Sequence, residues 1–314
     1  MKASNFFTHP LGIAASAIFT TFLWGSAFPF IKLSYNELGI SQNEIAEQIL
    51  FAGYRFFISG ILILLLFSFM GKQMKLQKET AGAVIKIGLF QTFIQYLMFY
   101  VGLSYSTGIQ GSIISGTSSF FQLILAHFYY KEDSLNARKF MGLFIGFLGV
   151  IFVNISRGEL ELQFGIGELL LLLATISYSY GNILAKEGSK TMDIGYLTAY
   201  QMLFGSFGLL AIGAVQAGVM PFTFDLKAAL MLLYLSFVSA AGFVIWNTVM
   251  KYNQVGKVSM YLFLIPVFGV MLSGLMLGEA VHAFVLIGLV CVATGIIVVN
   301  RIPGAKAQKV KKAS

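Results

Sequence analysis

The chain is dominated by ten apolar segments, near Leu11–Leu33, Gln48–Met70, Ala81–Leu103, Ile109–Tyr129, Phe140–Ile155, Gly165–Ala185, Gly195–Gln216, Leu226–Met250, Val258–Leu277 and Val281–Asn300, separated by short polar breaks. A helix that crosses a bilayer needs about 20 apolar residues, because each residue advances about 1.5 Å through a hydrocarbon layer about 30 Å thick. Ten such segments consume most of the 314 residues and leave no room for a soluble domain. Backbone amides in lipid are satisfied by helices or closed barrels, and segments of about 20 residues suit helices, so an all-α membrane protein is expected. Charged residues make up only 11% of the chain, against about 25% in soluble domains. That excludes a soluble enzyme, a disordered tail protein and a nucleic-acid binder of ordinary build, despite the formal charge of +8. The first apolar run is too long for a signal-peptide core and ends without a small-residue cleavage site, so it is read as a retained span. The single cysteine, Cys291, excludes an intrachain disulfide.

The basic residues give an orientation. With the amino terminus in the cytoplasm, 16 of the 21 Lys and Arg fall in inside segments, including Lys72, Lys75, Lys78, Lys131, Arg138 and Lys139. Four, Lys32, Arg55, Arg157 and Lys227, fall toward the outside. This positive-inside bias predicts ten transmembrane helices with both termini cytoplasmic. Residues 302–314 form a basic tail whose lysines, Lys306, Lys309, Lys311 and Lys312, suit the anionic inner leaflet.

The second half echoes the first. Leu103-Ser104-Tyr105 matches Met250-Lys251-Tyr252, and Lys131-Glu132 matches Gly278-Glu279, at an offset of 147. One residue is then dropped, and Gly142-Leu143 matches Gly288-Leu289, Gly149 matches Gly295, and Val153-Asn154 matches Val299-Asn300. Ala52–Arg55 lies opposite Thr198–Gln201. A duplicated unit of five spans has an odd number of crossings, so the copies insert with opposite orientation. Inverted five-helix repeats are a signature of alternating-access carriers, with the substrate near the midplane where the repeats meet.

Trp24-Gly25-Ser26-Ala27-Phe28 with Lys32, Arg55 in the second span, Leu264-Ile265-Pro266, and Leu277-Gly278-Glu279 with Gly288 and Gly295 resemble the drug/metabolite transporter superfamily, EamA branch. The resemblance covers about Ile13–Asn300 as two EamA-like units, 11–156 and 164–301. It implies a multi-pass carrier of small organic metabolites in a bacterial-type inner membrane, with export favoured. The chain departs from the family pattern at Lys131-Glu132, at Ser119 where the second unit has Pro266, and at Tyr178–Asn182 in place of the Trp24 motif.

Ten residues are candidates to bind a substrate: Trp24, Ser26, Arg55, Gln91, Gln95, Tyr178, Asn182, Gln201, Trp246 and Asn247. Trp24 lies near the middle of its span by helix rise, where an indole should face protein or a cavity rather than lipid. Helix packing beside Gly25, Ser26 and Ala27 is its alternative role. Tyr178 and Asn182 share a helix face, as do Gln91 and Gln95 with Met98, while Tyr96 and Tyr100 lie on a neighbouring face. Lipid-facing amides are costly, so these faces point inward, either to a ligand or to hydrogen bonds between helices. Trp246 and Asn247 occupy the matching region of the other repeat. Arg55 is a charge at depth, suited to a substrate carboxylate or to a structural partner. The polar stretch Ser115–Ser119 with Gln122 reads as close helix packing, Glu132 as a helix cap, Glu168 as solvated, and Pro29 as a kink or a tolerated interruption.

No phosphate-binding glycine loop, no metal-ligand spacing and no nucleophile–base set is present, so no cofactor, metal or catalytic residue is expected. No Asp or Glu lies near the centre of a span, which points away from proton coupling and toward a facilitator or exchanger. The expected partners are a small-molecule substrate and the lipid bilayer, with amino acids or related amphipathic compounds as the leading substrate class. Import of a vitamin or other nutrient is the alternative within transport. A non-transporting scaffold or membrane enzyme is the alternative outside it.

Overall fold

The computed structural model describes residues 3–106, 108–155, 164–278, 281 and 283–300. The basic tail, Arg157 and Glu279 lie outside the described residues. The described chain is all-helical, with helices inside each of the ten apolar segments. By length and composition, seven helical stretches could each cross a membrane. These are α2 (Pro10–Leu38), α3 (Ile45–Phe69), the Lys78–Ser104 stretch, α9 (Ile166–Gly188), α10 (Ile194–Ala217), α11 (Leu226–Tyr252) and the Val255–Leu277 stretch. A short α1 (Ala3–Thr8) precedes them. The remaining helices are α6 (Gly108–Gly116), α7 (Ser118–Tyr129), α8 (Ala137–Ile155) and α14 (Phe284–Asn300).

The helix ends follow from local chemistry. Pro10 opens α2 at a position whose amide has no helical partner to lose. Gly39 closes it in the left-handed region, at φ 68°. Asp193 and Asp225 cap α10 and α11, accepting from the amides of Gly195 (2.9 Å) and Ala228 (2.7 Å). Pro29 does not end α2, which runs through it. Glu168 is buried, a correction to its expected solvation: it accepts from Ser106 Oγ (2.5 Å) and from the Gly165 amide (2.7 Å).

Three stretches are irregular. The third is α4 (Lys78–Gly88), a π-helical turn at Leu89–Ile94, then α5 (Gln95–Ser104). The fourth breaks between α6 and α7 at Thr117. The ninth is α12 (Val255–Val258), a 3₁₀ segment at Ser259–Phe263, then α13 (Leu264–Leu277). Pro266 accounts for this last break, since it cannot donate to the carbonyl of Leu262. Ser119 stands at the repeat-equivalent position and donates its hydroxyl to the carbonyl of Ser259 (2.8 Å), which ties one break to the other.

Packing joins the two halves. Helix α3 lies against α10, α8 against α14, α2 against α11 and α13, and α9 against α5 and α7. The α3/α10 pair is antiparallel: Leu50 meets Gly213, Gly53 meets Leu210, Gly60 meets Leu203, and Phe67 meets Gly195. The α8/α14 pair is antiparallel too, with Gly142 against Val299 and Gly149 against Gly288. A Cβ at Gly142 would lie 2.8 Å from the Gly295 carbonyl oxygen, so these backbones meet only because glycine stands there.

Candidate functional site

A cavity of about 320 Å³ lies between α2, α3, α5, α6, α7, α9, α11 and α13. It occupies the half of the bundle that holds the C-terminal parts of α2 and α5 and the N-terminal parts of α3 and α9. Its wall is aromatic, with Trp24, Phe28, Tyr96, Phe99, Tyr100, Tyr178 and Phe243. Small and hydroxyl residues, Gly111, Ser115, Gly116, Ser118 and Thr175, also line it, and so do Ile265 and Pro266 at the α13 break. An open surface hollow at Phe30, Leu226 and Tyr234 is a weaker candidate. Its two charges are already engaged: Asp225 caps α11 and Lys227 pairs with Glu37.

Arg55 is the only charged residue on the described wall of the inner cavity. It is 4% exposed. Its Nε donates to Ser239 Oγ (2.6 Å), and the guanidinium carbon sits 5.0 Å from the Phe56 ring centre. These contacts hold the fork, and no carboxylate on the described wall balances the charge. An uncompensated cation in a low-dielectric pocket favours an anionic ligand group.

Four of the ten sequence candidates, Trp24, Arg55, Gln95 and Tyr178, line the cavity. The other six sit apart from its wall. Ser26 hydrogen-bonds to the Leu23 carbonyl (2.7 Å) and to Tyr234 Oη (2.8 Å), which places it in the α2/α11 joint. Trp246 is fully buried behind Trp24, with ring centres 5.5 Å apart. Gln91 donates to Asn182 Oδ1 (2.7 Å), and Asn247 donates to Thr198 Oγ1 (3.1 Å). Gln201 accepts from Thr92 Oγ1 (2.7 Å). The Thr92–Gln201 bond is the repeat counterpart of Ser239–Arg55, at the sequence offset to within one residue.

Sequence reasoning did not place Phe28, Phe99 or Phe243 on the wall, and it assigned Ser115 and Ser118 to helix packing. The one available signal was the unusual polarity of 115–119. It also missed the structure at the other end of the bundle. There Asp133, not Glu132, is the buried carboxylate: it pairs with Lys139 (2.7 Å) and accepts from the Gly256 amide (2.8 Å). Glu132 caps no helix; its backbone carbonyl accepts from Gln254 Nε2 (2.8 Å). Lys186 donates to the Asn253 carbonyl, and its Nζ lies 5.0 Å from the Tyr130 ring centre. Burial and the neighbouring Glu187 carboxylate push the Tyr130 phenol well above its ordinary range, so it stays neutral. At this end a connection (130–136) is docked onto the start of α12.

Comparison with known proteins adds lineage to this geometry. The profile of the EamA-like transporter family matches residues 11–155 and again 165–301. The uncharacterized transporter YoaV of Bacillus subtilis is 26% identical over 89% of this chain and 93% of its own length. A probable amino-acid metabolite efflux pump of Escherichia coli is 23% identical over 89% and 92%. An S-adenosylmethionine/S-adenosylhomocysteine transporter of Chlamydia muridarum is 23% identical over 89% and 88%. A crystal structure that is 14% identical shares the fold, with a TM-score of 0.74 over 93% of this chain and 98% of that one.

Proposed function

This chain belongs to the EamA-like transporter family, a family of multi-pass membrane proteins, and from that premise we propose that it exports amino acids or related amphipathic metabolites by alternating access. The observation that carries the proposal is the cavity: an aromatic wall with one buried cation and no described carboxylate. A solute with an apolar body and a carboxylate matches that wall, with Arg55 as the carboxylate partner and Trp24, Tyr178 and Gln95 around the body. A phosphorylated sugar would call for several cations.

The mechanism needs ten spans in two inverted units, with both termini cytoplasmic. Helix packing supports this. If a two-fold relation exchanges the halves, α3 maps onto α10 and α8 onto α14. Each of these self-paired couples is antiparallel, so the axis runs across the helices rather than along them. That is the geometry of inverted repeats. Two broken stretches, at Thr117 and at Ser259–Phe263, border the cavity, as discontinuous helices do in carriers. In this orientation the cavity lies in the outer half, and the Asp133 dock closes the cytoplasmic side.

The test is efflux from proteoliposomes loaded with labelled L-phenylalanine, L-methionine or S-adenosylmethionine. Flux of at least one solute above protein-free liposomes is expected, with a tenfold or greater loss in Arg55→Gln. Collapse of the pH gradient should leave the flux unchanged. Flux of none of the panel would sink the substrate class.

A further inference from the structure

One helical turn beyond the cavity, three wall residues are followed on their own helices by amides. Gln95 leads back to Gln91, Tyr178 leads on to Asn182, and Phe243 leads on to Asn247. These three side chains are 0%, 1% and 2% exposed. They converge: Gln91 Nε2 donates to Asn182 Oδ1 at 2.7 Å and reaches Asn247 Oδ1 at 3.4 Å.

The cluster is not saturated. Gln91 Oε1 and Asn182 Nδ2 are buried without a hydrogen-bond partner, and so is Gln95 Oε1, four residues along from Gln91. Amides that only join helices satisfy their polar atoms, because an unpaired one in a dry interior is costly. The backbone is also shaped around the cluster. Gln91 sits on the π-helical turn Leu89–Ile94, a local distortion common at functional sites. Ser177 Oγ donates to the Phe90 carbonyl within that turn (2.8 Å). Across from it, a Cβ at Gly181 would lie 2.7 Å from Gln91 Cα, so glycine admits the close approach.

The spare atoms are mixed, amide acceptors with an amide donor, and none of the three amides carries charge. A hard cation wants acceptors only, and an anion wants donors only. A head group that offers both, such as an amide, a hydroxyl pair or a zwitterion, fits the set. We propose that Gln91, Asn182 and Asn247 form a second, uncharged substrate station on the cytoplasmic side of the cavity, which receives such a head group when it is not held by Arg55. The proposal rests on the transporter reading above. It gives the path two unlike ends: a cationic outer station and a neutral inner one. In the present conformation the inner station is buried, its three amides at most 2% exposed.

The test compares inside-out and right-side-out membrane vesicles, with L-phenylalanine, L-methionine and S-adenosylmethionine as probes. The paired variant Gln91→Met/Asn182→Leu removes both partners of the 2.7 Å bond together and costs Asn247 Oδ1 only its longer, 3.4 Å contact with Gln91. Its half-saturation concentration from the cytoplasmic face is expected to rise at least tenfold, while that from the outer face changes less than twofold and the thermal midpoint is kept. Asn182→Ser, which retains a hydrogen-bonding group, should keep more than half of the wild-type flux. If the paired variant does not reach the membrane, Asn247→Leu replaces it with the same expectation. Unchanged kinetics from the cytoplasmic face, or equal losses from both faces with a lowered midpoint, would overturn the station and leave the carrier intact. Absence of flux in the wild-type protein for every probe would instead remove the carrier reading and the station together.

Discussion

The buried pair Asp133–Lys139 offers a sharp test of the packing at the closed end. Asp133 is 1% exposed and Lys139 is 6% exposed, with Nζ and Oδ1 2.7 Å apart. The second carboxylate oxygen accepts from the Gly256 amide at 2.8 Å, which fastens the connection after α7 to α12. Asp133→Ala strands the Lys139 ammonium with only the Ser134 carbonyl (2.8 Å) and leaves the Gly256 amide without its acceptor. Removing one partner of a buried pair costs about 3–5 kcal/mol, most of it the penalty of the orphaned charge. Taking both charges away in Asp133→Leu/Lys139→Met removes that penalty, and only the unmet Gly256 amide remains, at about 1–3 kcal/mol. The double variant is therefore expected to be more stable than the single one. Denaturant unfolding of the purified protein in detergent, followed by tryptophan emission, measures both. A single variant that loses less than about 1 kcal/mol, or a double variant that falls below the single, would refute a desolvated ion pair at this position.

Other outcomes follow from the same geometry. Gly256→Ala places a Cβ 2.3 Å from Leu123 Cδ1 and 2.9 Å from Asp133 Oδ1, and should lower unfolding stability by about 1–3 kcal/mol in the same titration. Gly142→Leu drives a side chain into Val299 and the Gly295 carbonyl; it should separate α8 from α14 and reduce membrane yield, read by immunoblot against Gly82→Leu, a position with open space around it. Arg55→Met should abolish flux of carboxylate-bearing solutes at least tenfold yet spare phenethylamine, if that amine is carried; equal losses would assign Arg55 to structure. Trp24→Ala should weaken solute binding and expose Trp246, so that iodide quenches the remaining indole more strongly than in Trp24→Phe.

Much of this architecture was legible in the chain because it is written in local terms. Hydropathy along one segment decides whether that segment can lie in lipid, and each of the ten segments holds a helix among its described residues. Asp193 and Asp225 mark helix starts through their carboxylates, and Gly39 and Pro266 mark a stop and a break through their backbones. The repeat offset seen in the sequence reappears as the matched bonds Arg55–Ser239 and Thr92–Gln201. The site was legible only in part. Gln91 and Gln95 lie on one helix face, yet Gln95 lines the cavity while Gln91 turns to Asn182 and Asn247. Nothing in the spacing of one helix could separate them, since the π-helical turn and the approach of Gly181 from another helix set the difference. Asp133 and Lys139 read as ordinary loop charges until the start of α12 buried them. Composition and hydropathy determined that the chain lives in a membrane, and the motif resemblance named the family. Which polar groups face a cavity, which face each other and which end is shut were decided only by packing between helices far apart in sequence, because a side chain's surroundings depend on its neighbours in space.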